Sequence, residues 1–135
     1  MNKKIIAIAS VIMAIIIVIS GTFDSALDEY TISQTISVDA IYEPKNNLVK
    51  ITYNDNSEKT MLVTLEILGM EKTFHKEFSQ NSFVEIIQIN SEPKYGWSTM
   101  PVVFSINHDE FGKIGLKTEI YQMDESKPRI IYSKI

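Results

Sequence analysis

The chain has 135 residues and no cysteine. That excludes a disulfide, a lipid-modified cysteine, a thiol nucleophile and a blue-copper centre, which needs a thiolate ligand. Histidine occurs only twice, tryptophan once, glycine five times and proline four times. Few imidazoles leave little material for a metal or acid–base site. No Asn-X-Ser/Thr acceptor site is present, and neither are G-x-S-x-G, H-E-x-x-H or a phosphate-cradling glycine loop. Positive charge is scarce where a polyanion would need it. Beyond residue 23 the chain holds 17 acidic against 11 basic groups, and that balance argues against nucleic-acid binding.

What is present begins with "MNKKIIAIASVIMAIIIVIS". Lys3 and Lys4 precede Ile5–Ile19, which is apolar except for Ser10. Extended through Phe23, the run is 19 uncharged residues, about 28 Å of helix at 1.5 Å per residue, close to a bilayer's hydrocarbon thickness. Asp24, Asp28 and Glu29 follow, and no basic residue appears before Lys45. The expectation is a transmembrane anchor or a signal peptide over 1–23, with membrane contact through residues 5–23. The lysines stay cytoplasmic and the remainder lies outside. Cleavage near Ser20 or Gly21 yields a secreted domain, and retention yields a membrane-tethered one. Residues 24–28 read as a short linker.

From residue 29 the period becomes two. In "EYTISQTISVDAIYE" the even positions, Tyr30 to Tyr42, are mostly apolar and the odd ones mostly polar, the pattern of a half-buried strand. Further runs are Leu48–Tyr53, Thr60–Leu68 (with Met61, Val63, Leu65 and Ile67 inward), Thr73–Phe78, Phe83–Ile89, Val102–Asn107, Lys113–Met123 and Arg129–Ile135. Two rows carry charges among their apolar residues, Lys76 between Phe74 and Phe78, and Glu85 between Phe83 and Ile87. The glycines of "FGKIG" (111–115) are expected to shape a tight corner. Eight short strands separated by polar turns predict an all-β antiparallel sandwich over 29–135.

This pattern resembles the immunoglobulin-like and fibronectin III superfold across residues 29–135. The stretch "DEFGKIGLKTEIY" (109–121) stands where such domains have Asp-X-X-Gly-X-Tyr-X-Val. Lys117 occupies the place of the tyrosine after Gly115, and the Cys…Trp…Cys core is missing. The resemblance implies a binding or structural role. An apolar N-terminal helix joined to a β-sandwich head also resembles archaeal type IV pilin and archaellin subunits. Those carry Gly or Ala after the basic residues, where this chain has Ile5.

Four features are candidate sites. His108-Asp109-Glu110, with His75 the other imidazole, combines metal-ligand types. Neighbours on a strand point to opposite faces, so these converge only if the chain turns, and a solvated turn is the expected reading. Met61, Met70, Met100 and Met123 suit copper(I), but as scattered residues they are expected to fill the core. "NDNSEK" (54–59) offers Asn54, Asp55, Asn56 and Glu58 as oxygen ligands. It lacks the glycine and distal glutamate of a calcium loop, so a hairpin turn with Asx hydrogen bonds is expected. In "KYGWSTMP" (94–101), Tyr95 and Trp97 fall on one side of an extended chain. They form either a platform for a sugar or a partner, or a plug in which Trp97 closes the sandwich with its N–H on a carbonyl.

The sequence thus predicts no enzyme, no metal and no cofactor. It predicts an accessory, adhesion or scaffold module acting through protein contacts. A carbohydrate, small-ligand or metal binder and a pilin-like filament subunit are the alternatives. The terminal run "RIIYSKI" reads either as a sheet edge open to a partner strand or, the expected reading, as a paired edge blunted by Arg129 and Lys134.

Overall fold

A computed structural model describes residues 25–70 and 73–134. The chain divides into two compact units, residues 1–32 and residues 33–135, and the second holds both sheets. A helix, α1, spans Ser25–Thr35 and hands over directly to β1 (Ile36–Glu43). The alternation read through residues 29–35 is therefore not extended chain. "SALDE" supplies good helix formers with Asp28 and Glu29 in the first turns, where the helix dipole favours acids. The period-two pattern takes over only where Ile36, Val38, Ala40 and Tyr42 can all reach a core. The run Ile5–Ile19 lies outside the described residues.

Eight more strands follow: β2 (Leu48–Asp55), β3 (Thr60–Ile67), β4 (Phe74–Phe78), β5 (Ser82–Gln88), β6 (Val102–His108), β7 (Gly112–Thr118), β8 (Tyr121–Gln122) and β9 (Ile131–Lys134). They form a four-stranded sheet, β5-β2-β1-β8, and a five-stranded one, β4-β3-β6-β7-β9. Every pairing is antiparallel except β1 with β8. The inward residues of both sheets meet in one core, with Tyr53 of β2 stacked on Phe104 of β6 at 6.1 Å between centroids. Ile36, Val49, Ile51, Val63, Leu65 and Ile67 are fully buried. Each such side chain stabilises the fold by about 1.5–3 kcal/mol.

The structure corrects several expectations. Met61 is 55% exposed, because the β3–β6 register shifts between Thr60 and Leu62 and the extra residue bulges outward. Met123 is also exposed, and among the described residues only Met100 is a buried methionine. The run Lys113–Met123 is two strands. The chain leaves the larger sheet after Thr118 and joins β1 in the smaller one at Tyr121. Alternation survives this crossing, with Thr118 and Ile120 both buried, because inward means the same core from either sheet. "NDNSEK" is not a hairpin, since it carries the chain from β2 in one sheet to β3 in the other. In "FGKIG" only Gly112 turns the corner, at φ 76°, while Gly115 lies within β7 opposite Ser105.

The two inward charges close the open side of the sandwich. β4 and β5 are edge strands of opposite sheets. Lys76 Nζ donates to both oxygens of Glu85, at 3.1 and 3.3 Å. Beside this pair Phe78 stacks flat on Phe83 at 3.7 Å. A charge in an inward row is tolerable here because the edge leaves it partly in water.

Candidate functional site

Each end of the sandwich carries one candidate. At one end the chain leaves β5 and is tied back by Ile89 N–H donating to the Asn47 carbonyl. It then folds into two successive turns. Gly96 N–H donates to Pro93 O, Thr99 N–H and Oγ1–H both donate to Gly96 O, and Met100 N–H donates to Trp97 O. Leu68 N–H donates to Pro101 O and fastens the loop to the end of β3. "KYGWSTMP" is thus a hydrogen-bonded cap rather than extended chain, with Trp97–Thr99 as a single 3-10 turn.

That geometry separates the two rings. Tyr95 is 77% exposed, with Lys94 Nζ 5.5 Å from its centroid. Trp97 is half-buried against Tyr42, at 4.9 Å and a 50° tilt. The shared-face platform expected from extended chain is therefore not formed, because Gly96 at φ 95° breaks the alternation between them. The expected carbonyl partner for the indole is missing too. Nε1 is buried and finds no acceptor among the described residues. Trp97→Phe is expected to change stability by less than about 1 kcal/mol, because it keeps a ring on Tyr42 and removes a buried donor without a partner. Trp97→Ala is expected to cost about 2 kcal/mol, less than a fully buried tryptophan. Urea unfolding of the two variants checks both values.

Beside Tyr42 lies an open groove of ≈ 430 Å³. Residues 43–46 of the β1–β2 turn form one wall, and Gln122, Met123 and Asp124 form the other. It joins a phenol, an exposed thioether and side chains of both charges, the composition of a shallow recognition surface.

The opposite end holds a buried polar cluster. Asp55 ends the inward row Val49-Ile51-Tyr53, and His108 ends the inward row Val102-Phe104-Ile106 on the other sheet. Their side chains are wholly buried and meet, His108 Nε2 to Asp55 Oδ2, at 2.9 Å. The Asp55 carboxylate also accepts from Ser57 Oγ (2.6 Å), Thr60 Oγ1 (2.6 Å), Ser57 N–H (2.9 Å) and Lys59 N–H (3.2 Å). Tyr53 OH lies 2.7 Å from Thr60 Oγ1. Burial by itself would raise the Asp55 pKa. The bonds from Ser57 and Thr60, then the Ser57 amide and His108, outweigh it and hold the carboxyl at about 2. Burial, with the Asp55 charge adding to it and the Thr60 bond opposing, pushes the Tyr53 phenol up to about 12.

Ser57, His108 and Asp55 are the residue types of a nucleophile relay, but their wiring differs from one. In a relay the serine and the carboxylate bind opposite nitrogens of the imidazole. Here Ser57 Oγ (3.2 Å) and Asp55 Oδ2 both sit on Nε2. Nδ1 instead accepts the amides of Glu110 and Phe111, each at 3.1 Å. The proton is therefore on Nε2, and the ring joins the 55–60 turn to the 108–112 turn. Asp109 N–H donating to Lys59 O completes the link.

The sequence-predicted metal residues do not converge. Both nitrogens of His108 are engaged, Asp109 and Glu110 are exposed, and Glu110 pairs with Lys59 at 3.4 Å. His75 lies on β4 and meets Glu66 at 3.0 Å. Among the described residues no group of three or more His, Cys, Asp or Glu is placed to hold a metal ion. In "NDNSEK" Asp55 faces the interior, and Asn54 Nδ2 donates to Asn56 Oδ1 at 2.7 Å. The Ser57 amide on Asp55 is the Asx bond expected of this turn. Sequence reasoning missed the Asp55–His108 union. The parity of the two rows was its available signal, since each continues an inward apolar series by one polar residue.

The chain matches no protein-family model, no curated protein and no solved structure.

Proposed function

We propose that this chain is a non-enzymatic, membrane-tethered module. Its sandwich lies outside the cytoplasm and works through protein contacts, as an accessory, adhesion or scaffold subunit. The tether rests on the sequence, on the lysine-led apolar run before residue 24 and the acidic residues after it. Among the described residues no helix is long and apolar enough to cross a membrane. The immunoglobulin-like reading draws support from strand order. β1-β2-β5 and β3-β6-β7 have the neighbours of the A-B-E and C-F-G strands of that frame, with β4 beside β3. The single observation that carries the non-enzymatic reading is the wiring of His108, whose two nitrogens are spent on joining turns.

Protease treatment of intact cells tests the placement. The domain is expected to be digested from outside, and a domain that is protected and soluble in the cytosol overturns the reading. The groove beside Tyr42, with exposed Tyr95 in the loop at the same end, favours a second reading as a carbohydrate or small-ligand binder. A glycan array and a metal titration on the whole chain test it, and silence in both removes it.

A further inference from the structure

The four sheet edges differ in how they are protected. β8 has two residues, β4 carries His75, Lys76 and Glu77, and β9 ends in Lys134. Short length and charge are the usual means of keeping an edge from pairing with another chain. β5 has seven residues, and its outward row, Ser82, Val84, Ile86 and Gln88, has no charge. Val84 is 52% and Ile86 56% exposed.

The backbone register adds a second observation. Ile89 N–H donates to Asn47 O, and Asp55 N–H donates to Asn81 O. In an antiparallel pair the mutually bonded residues alternate, so Phe83, Glu85 and Ile87 bond to β2. The amides and carbonyls of Ser82, Val84, Ile86 and Gln88 therefore point away from the sheet. The same residues offer apolar side chains and a hydrogen-bonding edge with no backbone partner among the described residues. Glu85, the one charge on β5, faces inward and is engaged by Lys76.

We propose that β5 is a self-association edge, at which a second copy of this chain pairs antiparallel and joins the two four-stranded sheets into one. The argument for a copy is self-complementarity. The outward row reads polar, apolar, apolar, polar in either direction. With the two-fold axis at Glu85, Val84 stands opposite the copy's Ile86, and Ser82 opposite its Gln88. The chain is net negative, and this row meets a copy without adding charge to the seam. Across the axis the two Glu85 carboxylates are each neutralised by Lys76. The inference does not rest on the membrane tether or on the immunoglobulin-like reading.

The test uses the full chain in mild detergent. Light scattering coupled to size exclusion is expected to show a dimer. Val84→Lys and Ile86→Lys, both at exposed positions, are expected to weaken it at least tenfold, with a thermal midpoint equal to that of wild type once both are diluted to monomer. The absence of cysteine allows a separate readout. Ile86→Cys is expected to give a dimer band with a short bis-thiol reagent, and Lys117→Cys on the other sheet is not. A monomeric wild-type chain, a dimer that persists in both lysine variants, or equal cross-linking from positions 86 and 117 overturns the proposal. So does a different protein bound along β5 in place of the copy.

Discussion

Asp55→Ala is expected to destabilise the domain by about 3–5 kcal/mol, the largest effect of any single side-chain truncation at the loop ends. The carboxylate satisfies five donors from Ser57, Lys59, Thr60 and His108, and its side chain and that of His108 are wholly buried. Removing it leaves the buried Nε2–H of His108 with only the longer contact to Ser57 Oγ at 3.2 Å, and leaves the 55–60 and 108–112 turns joined only by the Asp109 amide on Lys59 O and the surface Lys59–Glu110 pair. Bonds to a charged acceptor are worth more than neutral ones, and a stranded buried donor adds its own cost. Ser57→Ala is the milder control, at about 1 kcal/mol, because the Ser57 amide and Thr60 still hold the carboxylate. Urea midpoints of the three proteins measure these differences.

The same carboxylate gives stability a pH dependence of known sign. Its pKa falls from an ordinary 3.8 to about 2 on folding. A depressed carboxyl contributes fully above its unfolded value, and the contribution is lost as pH falls from 3.8 through about 2. The loss across that window is about 2 kcal/mol. Asp55→Asn is expected to flatten the dependence there, and a slope equal to wild type would place its origin elsewhere.

The second large effect is at Gly69. This residue has φ 81°, in the left-handed region, and a Cβ built there would overlap the Thr99 carbonyl oxygen. Gly69→Ala is expected to cost about 3 kcal/mol or more, combining backbone strain with a backbone clash that no side-chain rotation relieves. The loop over residues 96–101 must then lift, carrying Trp97 away from Tyr42. Because Trp97 is the only tryptophan, its emission should shift to the red along with the loss of stability. Gly112→Ala separates the two causes. Its φ of 76° is similar, but a Cβ there meets nothing within 4 Å, so the expected cost is only about 1 kcal/mol.

How far the fold was legible in the sequence depends on what each signal measures. Alternation reports which residues face a core, and it placed Val49, Ile51, Tyr53, Ile114, Leu116 and Ile120 inward, as the structure has them. It is blind to which sheet a strand joins, since both sheets of a sandwich share one interior. Lys113–Met123 therefore looked like one strand, and "NDNSEK" looked like a hairpin. Met61 misled for a related reason, because a bulge set by pairing with β6 turns it out of a row it otherwise fits. Residues 29–35 alternate as well, yet they are helical, since seven residues are too few for period two to outweigh good helix formers just before them.

By itself, then, the sequence determined the β architecture from Ile36 onward and most of its core. It also determined the absence of thiol chemistry and the charge asymmetry around residues 1–24. Only the tertiary structure decided the fate of the polar residues. Lys76 and Glu85 became an edge closure, Asp55 and His108 a buried join between turns, and Tyr95 and Trp97 an exposed ring and a half-buried one. The physical reason is that apolar burial is a property of one residue and its parity. A polar group's role depends on which donors and acceptors a distant strand brings within 3 Å of it.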